Sequence, residues 1–410
     1  MATELVLRID RVGAQGDGVA DGDSGPVFVP LTLSGELVRA DVSGERGRLL
    51  SILEASRDRI APVCRHFGVC GGCALQHMAA AVYSAWKQAQ VVAAFRSRGI
   101  DAEVSEVVAC AGKRRRAVFS AKRTNSGVVL GFHGAGSHEL VDLAMCPVVD
   151  ERIVAALPAL RDLVSPLVSR RGELRATTTW TEAGLDIALE ESGQTLTPEI
   201  RAHIAKVASQ ERFARVSISD DLAYEALAPF LTMGAAEVVL PPGVFLQAVA
   251  EAEVAMAELV VAAVGKAKKV IDLFSGVGAF TFRLARQSKV FAADSDKVAI
   301  AALVAAARKT RGLKPIEAIA RDLFREPLSG TELNAYDAIC FDPPRSGAEA
   351  QAKMIARSKV KTVVAVSCSP ATLARDVRIL IDGGYKLESV TPVDQFLYSP
   401  HIEVVAVLKR

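Results

Sequence analysis

The chain has no surplus of charge: 49 Lys and Arg stand against 47 Asp and Glu, leaving a formal net charge of +2 over 410 residues. That excludes a strongly cationic tail, so any nucleic-acid surface must be a local patch. No uncharged apolar run reaches the ~18 residues that a membrane-spanning helix needs. The opening "MATELVLRID" lacks the basic stretch and apolar core of a secretory signal. A cytoplasmic protein with no membrane partner is expected. Internal repeats and low-complexity tracts are also missing, which excludes solenoids and linker-like segments. Cysteine is scarce, seven in all, and in a reducing compartment clustered thiols point to metal or catalysis more than to disulfides.

What is present is ordinary for a globular protein: 50% apolar and 23% charged residues. The length allows two or three domains. Residues 1–56 alternate short apolar segments ("LVLRIDRV", "PVFVPLTL", "ELVRADVS") with a Gly-rich turn, which predicts a small β-barrel. Residues 57–245 mix helix and strand. "MAAAVYSAWKQAQVVAAFRSRG" reads as a helix over 78–99 ending at Gly99, and "KRRRAVFSAKR" as a basic strand. Residues 246–410 alternate strands with helices: "KKVIDLF", "KVFAAD", "IEAIARD", "YDAICFD", "KTVVAVSC", "YKLESVTPV" and "IEVVAVLK". This predicts a doubly wound, Rossmann-like α/β domain with a mostly parallel sheet. Its ligands belong at the carboxyl ends of the strands.

Three of the scarce cysteines lie within ten residues: Cys64, Cys70 and Cys73, around the glycines of "CGGC". Glycine lets the backbone approach a bound ion or cluster. A fourth thiolate has two candidates, Cys110 and Cys146, and Cys146 is followed by proline, as in some iron–sulfur ligand sets. Zinc fits the spacing as well.

In the last domain, "VIDLFSGVGAF" sets Asp272 on a strand and Gly276 and Gly278 in the following turn. A GxG turn is weak evidence for a nucleotide site. Three more acids stand at successive strand ends: Asp294, Asp322 and Asp342. Such acids suit a ligand with ribose, an amino base and a cationic centre, which S-adenosylmethionine has; they would repel a pyrophosphate. Cys368 ends a strand just before a helix N-terminus, where a thiolate is favoured. Glu403 opens an apolar strand near His401, a position suited to a general base.

Taken together, these motifs resemble the RNA 5-methyluridine methyltransferase family. "CRHFGVCGGCALQH", "GVFLQ", "DLFSGVGAF", "FDPPRSG", "SCSPATLARD" and "HIE" follow in the family's order along nearly the whole chain. The resemblance implies an RNA (uracil-5-)-methyltransferase that takes its methyl group from S-adenosylmethionine and acts on ribosomal or transfer RNA, ribosomal RNA being favoured. It implies a [4Fe-4S] cluster on Cys64, Cys70, Cys73 and Cys146, which leaves Cys110 unassigned. It also implies an N-terminal TRAM-type, OB-like RNA-binding domain, a monomer, Cys368 as nucleophile and Glu403 as base. Cofactor contacts fall to Gln247, Phe274, Gly276, Asp294, Asp322 and Asp342. Ser275 and Ala279 stand where family members often carry Cys and Asn, and "LYSP" replaces a Thr/His-rich run before His401. The basic run Lys113, Arg114, Arg115 and Arg116 is expected to meet phosphates or to guard a strand edge. Three other classes compete: an amino-group methyltransferase, which does not need Cys368; a 5-methylcytosine enzyme, to which the iron–sulfur signature is foreign; and a non-enzymatic iron–sulfur RNA-binding protein, which needs neither Cys368 nor Glu403.

Overall fold

The computed structural model describes residues 3–22, 25–170, 172–190, 194–219 and 221–410. Asp23 and Ser24 of the expected Gly-rich turn lie outside them. The first sheet holds β1 (Thr3–Arg8), β2 (Arg11–Val12), β3 (Gly18–Gly22), β4 (Gly25–Val29), β5 (Leu37–Ser43) and β6 (Arg46–Glu54), in the order β1-β5-β6-β4-β3-β2. Alternation decides its faces: Val38, Ala40 and Val42 of β5 point inward onto Ile9, Ala20, Val27 and Val29.

A cysteine-bearing loop follows, then α1 (Ala80–Arg96), which ends three residues before Gly99 at φ +66°, and β7 (Val108–Ala109). The second sheet contains β8 (Arg116–Thr124), β9 (Gly127–His133), β10 (Leu140–Asp142), β11 (Leu174–Thr181), β12 (Gly184–Glu190), β13 (Arg215–Ile218) and β14 (Asp221–Glu225), in the order β10-β9-β8-β11-β12-β13-β14. Helices α2 (Glu151–Ala155), α3 (Leu157–Val164) and α4 (Pro198–Gln210) pack on it through Leu157, Leu160, Leu163, Ile204 and Val207. A hairpin of β15 (Phe230–Met233) and β16 (Ala236–Val239) leads to the last unit.

That unit runs α5 (Ala250–Val264), β17 (Lys269–Leu273), α6 (Thr281–Leu284), β18 (Lys289–Asp294), α7 (Lys297–Lys309), β19 (Ile316–Ala320), α8 (Gly330–Leu333), β20 (Ala338–Phe341), α9 (Glu349–Ala356), β21 (Thr362–Ser367), α10 (Pro370–Asp382), β22 (Lys386–Asp394) and β23 (Glu403–Lys409). The sheet order is β19-β18-β17-β20-β21-β23-β22-β7. β20 and β21 are buried almost throughout, as uninterrupted apolar strands of a sheet covered on both faces should be. All seven strands expected here are found, and β7 from the middle of the chain adds an eighth beside β22. α1 packs on the same unit, with Val91 and Phe95 in one core with Ile271, Leu273 and Leu373. Only β23 runs antiparallel to its neighbours.

Candidate active site

The reversal of β23 gathers the chemistry. β17, β20 and β21 are parallel, so Leu273, Phe341 and Ser367 all end at one edge. β23 begins at that same edge, and the register pairs Ser367 with Val404 and Val393 with Glu403. Cys368, Glu403, Asp342 and the residues after β22 are therefore neighbours although they lie on four different strand ends.

Four side chains there form one hydrogen-bonded chain. Gln247 donates from Nε2 to Asp342 Oδ2 at 2.8 Å. Gln395 donates from Nε2 to Gln247 Oε1 at 2.7 Å and to Glu403 Oε1 at 2.8 Å. Its own Oε1 accepts from the Ala248 N–H at 3.0 Å. Every polar atom of Gln395 is thus engaged, which fixes the amide. Glu403 is 3% exposed, and its second oxygen, Oε2, is buried with no partner in the protein. Burial pushes Glu403 up to about 7, with Gln395 and Arg345 pulling the other way. Asp342 is raised well above its ordinary range by burial and then by Glu403.

Cys368 lies half-buried between β21 and α10. Ser369 caps the helix, its Oγ accepting from the Thr372 N–H at 3.4 Å. Helix N-termini favour a thiolate, yet burial, followed by Glu403 and Asp342, pushes the thiol up to about 11; Arg345 opposes them. Burial is the larger cause and the two carboxyl groups add to it, neither of which the sequence expectation of a favoured thiolate included. The exposed Arg345 is the countercharge, a role that the sequence reading did not give it, and Gln395 did not stand out in the sequence. Arg345 is visible in "DPPR" as the cation after the prolines. Gln395 has no local signal, because its partner Gln247 is 148 residues away.

The other expected cofactor residues line the adjoining strand ends. Phe274 takes φ +59° and Gly276 φ +51°, so the chain after β17 turns sharply back. Gly278, at φ +102°, passes so near Phe282 that a Cβ would lie 2.7 Å from its ring. Asp294 fastens this turn, its Oδ2 accepting from the Gly276 N–H and its Oδ1 from the Asp296 N–H, both at 2.8 Å. Asp322 caps its own turn through the Phe324 and Arg325 N–H groups, and Phe324 meets the Phe274 ring at 5.5 Å. Beneath them Asp272 is buried, bonded by Thr281 Oγ1 at 2.5 Å, and pushed up to about 7 by burial, with Asp342 and Asp294 adding to it.

The basic run divides. Lys113 pairs with Glu151 and buried Arg115 with Glu253 at 2.5 Å, while Arg116 reaches the Gly243 carbonyl. Arg114 lies 5.7 Å from the Phe396 ring centre, and its buried Nε has no partner. It also lines a cavity of about 380 Å³ that contains Cys64, Cys70, Cys73 and Cys146. "CGGC" is needed there sterically: a Cβ on Gly71 would lie 2.9 Å from the His133 carbonyl. Burial raises the Cys70 and Cys146 thiols and pushes Cys73 up to about 11. Cys110 is elsewhere, beside Asp394 and Glu251. Among the described residues, no three His, Cys, Asp or Glu side chains form a ready-made site for a single metal ion.

A Rossmann-like sheet with one antiparallel strand, a glycine-turned cleft and acids at its strand ends defines a methyltransferase-type nucleoside cleft. Residues 238–410 match the tRNA (Uracil-5-)-methyltransferase family. Over 405 residues the chain is 48% identical to an uncharacterized RNA methyltransferase of Brucella suis, covering 98% of this chain and 97% of the relative. A 23S rRNA (uracil(1939)-C(5))-methyltransferase of Aeromonas hydrophila is 28% identical over 425 residues, 99% and 96% of the two chains. In fold, the chain is similar to the Pyrococcus abyssi tRNA (uracil-54, C5)-methyltransferase solved with S-adenosyl-L-homocysteine: TM-score 0.74, 22% identity, 98% and 99% coverage. The chain belongs to the RNA methyltransferases, and its residues 238–410 carry the match to the uracil-5 family.

Proposed function

We propose that this enzyme methylates carbon 5 of a specific uridine in RNA, ribosomal RNA before transfer RNA, with S-adenosylmethionine as methyl donor and a covalent Cys368 adduct. The observation that carries it is the meeting of a half-buried thiol and a carboxylate with one free oxygen at the ends of β21 and β23. The Aeromonas relative is named for a ribosomal uridine, which favours that RNA. Carbon 5 of uracil is a poor nucleophile. A bond from Cys368 Sγ to carbon 6 pushes the ring π electrons into an enolate, which is covalent catalysis. The enolate's carbon 5 then takes the methyl group, and S-adenosylhomocysteine leaves. Glu403 Oε2 removes the carbon-5 proton, the Sγ–C6 bond breaks, and the ring double bond returns. Gln395 holds Oε1 so that Oε2 stays available. Arg345 favours the thiolate that the attack requires. The uridine must be unpaired or flipped out to enter.

The four-cysteine cavity fits a [4Fe-4S] cluster on Cys64, Cys70, Cys73 and Cys146. Beyond burial, Cys146 and Cys64 add to the rise of Cys70, Cys146 and Cys70 to that of Cys73, and Cys64 to that of Cys146. The Gly72 N–H points at Cys70 Sγ at 3.4 Å, and Arg114 brings a cation whose Nε is otherwise unsatisfied. A cluster spreads its ligands over four irons, so the thiols need not converge on one ion position. Such a group supplies a structural staple, and about four irons per chain with no stoichiometric zinc is expected from protein purified without oxygen. The first sheet is read as the TRAM-type RNA-binding part.

RNA carrying 5-fluorouridine at the target tests the chemistry, because fluorine replaces the proton that the base removes. Wild-type enzyme should be trapped as an adduct that survives denaturation, and the Cys368→Ala variant should not. Absence of any adduct with wild-type enzyme would reject the covalent route. Mapping 5-methyluridine by mass spectrometry in RNA from cells with and without the gene identifies the substrate.

A further inference from the structure

We propose that Lys87, buried under the loop between β22 and β23, is a positioning residue for the general base, holding that loop so that Glu403 faces the target carbon. The inference rests on the reading of Glu403 as base. Lys87 sits on α1, more than 300 residues earlier in the chain, and is fully buried. Its ammonium donates to Asp394 Oδ1 at 2.6 Å, to the Phe396 carbonyl at 3.2 Å and to the His401 carbonyl at 2.5 Å. These acceptors lie at the two ends of one loop, so a single cation closes its neck. Gln395, which holds Glu403 Oε1, follows Asp394 directly, and Glu403 is two residues beyond His401.

Tyr83, one helical turn before Lys87 and on the same face, reinforces the closure. Its hydroxyl donates to Asp394 Oδ2 at 2.8 Å and accepts from the Tyr398 N–H at 2.9 Å. Tyr398 has φ +62°, a backbone state that a non-glycine residue holds only when its surroundings impose it. A buried lysine is costly unless it is paired and fully hydrogen-bonded. Placing one under this loop, with all three donors used, is more than hydrophobic packing of α1 needs; an apolar residue would serve that alone.

The test uses the full chain with target RNA and S-adenosylmethionine, and reads turnover, the fraction of denaturation-resistant protein–RNA adduct, and S-adenosylhomocysteine affinity. In Lys87→Met, addition and methyl transfer should proceed while proton removal slows. Turnover should fall about 10- to 100-fold, the cost expected of a base displaced by around an ångström. The adduct should become a major species, and S-adenosylhomocysteine should bind as in wild type. Lys87→Met combined with Asp394→Asn removes the unpaired buried carboxylate and should behave alike, and Tyr83→Phe should give a smaller effect in a chain that lacks only one hydroxyl. Normal turnover in all three, or lost turnover without adduct, overturns the proposal. Glu403→Gln is run beside them: if it accumulates adduct and the Lys87 and Tyr83 variants do not, only the positioning role falls. If it accumulates none, the base assignment falls and the positioning role with it.

Discussion

Glu403 is a carboxyl group held where its charge is least favoured. It is buried, faces Asp342 and Cys368, and receives one hydrogen bond from Gln395 and a distant pull from Arg345. Its folded-state value of about 7 lies above the ordinary 4.5, so the folded protein binds the proton more tightly than the unfolded chain. Stability from this group is therefore full below pH 4.5 and is lost as pH rises toward 7. A Gln at 403 cannot titrate and keeps an oxygen for Gln395. We expect Glu403→Gln to be more stable than wild type by about 1–3 kcal/mol at pH 8 and nearly equal at pH 5. Thermal melting at the two pH values measures this. A gap that did not change with pH would mean that Glu403 is ionised throughout and not poised to move a proton.

The loop after β22 ties together elements that the chain keeps far apart. The Tyr398 carbonyl accepts from the Ala74 and Leu75 N–H groups at 2.8 and 3.0 Å, directly after Cys73. One side of the loop is thus clamped by the cysteine segment and the other by α1. With the proposed cluster in the cysteine cavity, its removal by a chelator under oxidising conditions should free the Cys73–Leu75 backbone. Hydrogen exchange of residues 396–402 should then accelerate about 10-fold or more, with β17 and β20 unchanged. Unchanged exchange in the loop would show that α1 alone holds it. Such links explain what was legible beforehand. β20 and β21 announce themselves as apolar runs, while the "CGGC" glycines, expected to let the backbone near a cluster, bring Gly71 against the His133 carbonyl. β7 has two residues and no period to detect. The direction of β23 is set by pairing and not by composition. Arg115 reads as one cation among four, yet its partner Glu253, 138 residues on, makes it a structural residue. Gln395 and Lys87 are silent for the same reason: their meaning depends on contacts that only the folded chain makes.

At the scale of the molecule, three sheets meet around the cysteine loop. The first sheet docks on it through a bidentate pair, the half-buried Arg59 donating to both oxygens of the buried Glu36 at 2.5 and 2.8 Å. Leu33 packs there against Leu75, Met78 and Tyr83. The sheet's outer arginines are spoken for only weakly: Arg46 and Arg48 are 71% and 74% exposed and pair with Asp17 and Asp41. Exposed pairs of this kind contribute about 0–1 kcal/mol, so an RNA phosphate can displace the carboxylates. A chain of net charge +2 has no general attraction for RNA, and its affinity must come from such local cations. Each phosphate they neutralise releases counterions and adds about 0.7–0.9 to the slope of log affinity against log salt. Changing Arg46 and Arg48 together to Gln should lower that slope by about 1.4–1.8, weaken RNA binding most at low salt, and leave S-adenosylhomocysteine affinity alone. Binding titrations across a salt series measure the slope. If it stayed at the wild-type value, the first sheet would not touch the RNA backbone, and its role would be limited to covering the cysteine loop. In that case Arg114, the member of the basic run that lines the cysteine cavity and whose buried Nε has no partner, becomes the next cation to neutralise in the same assay.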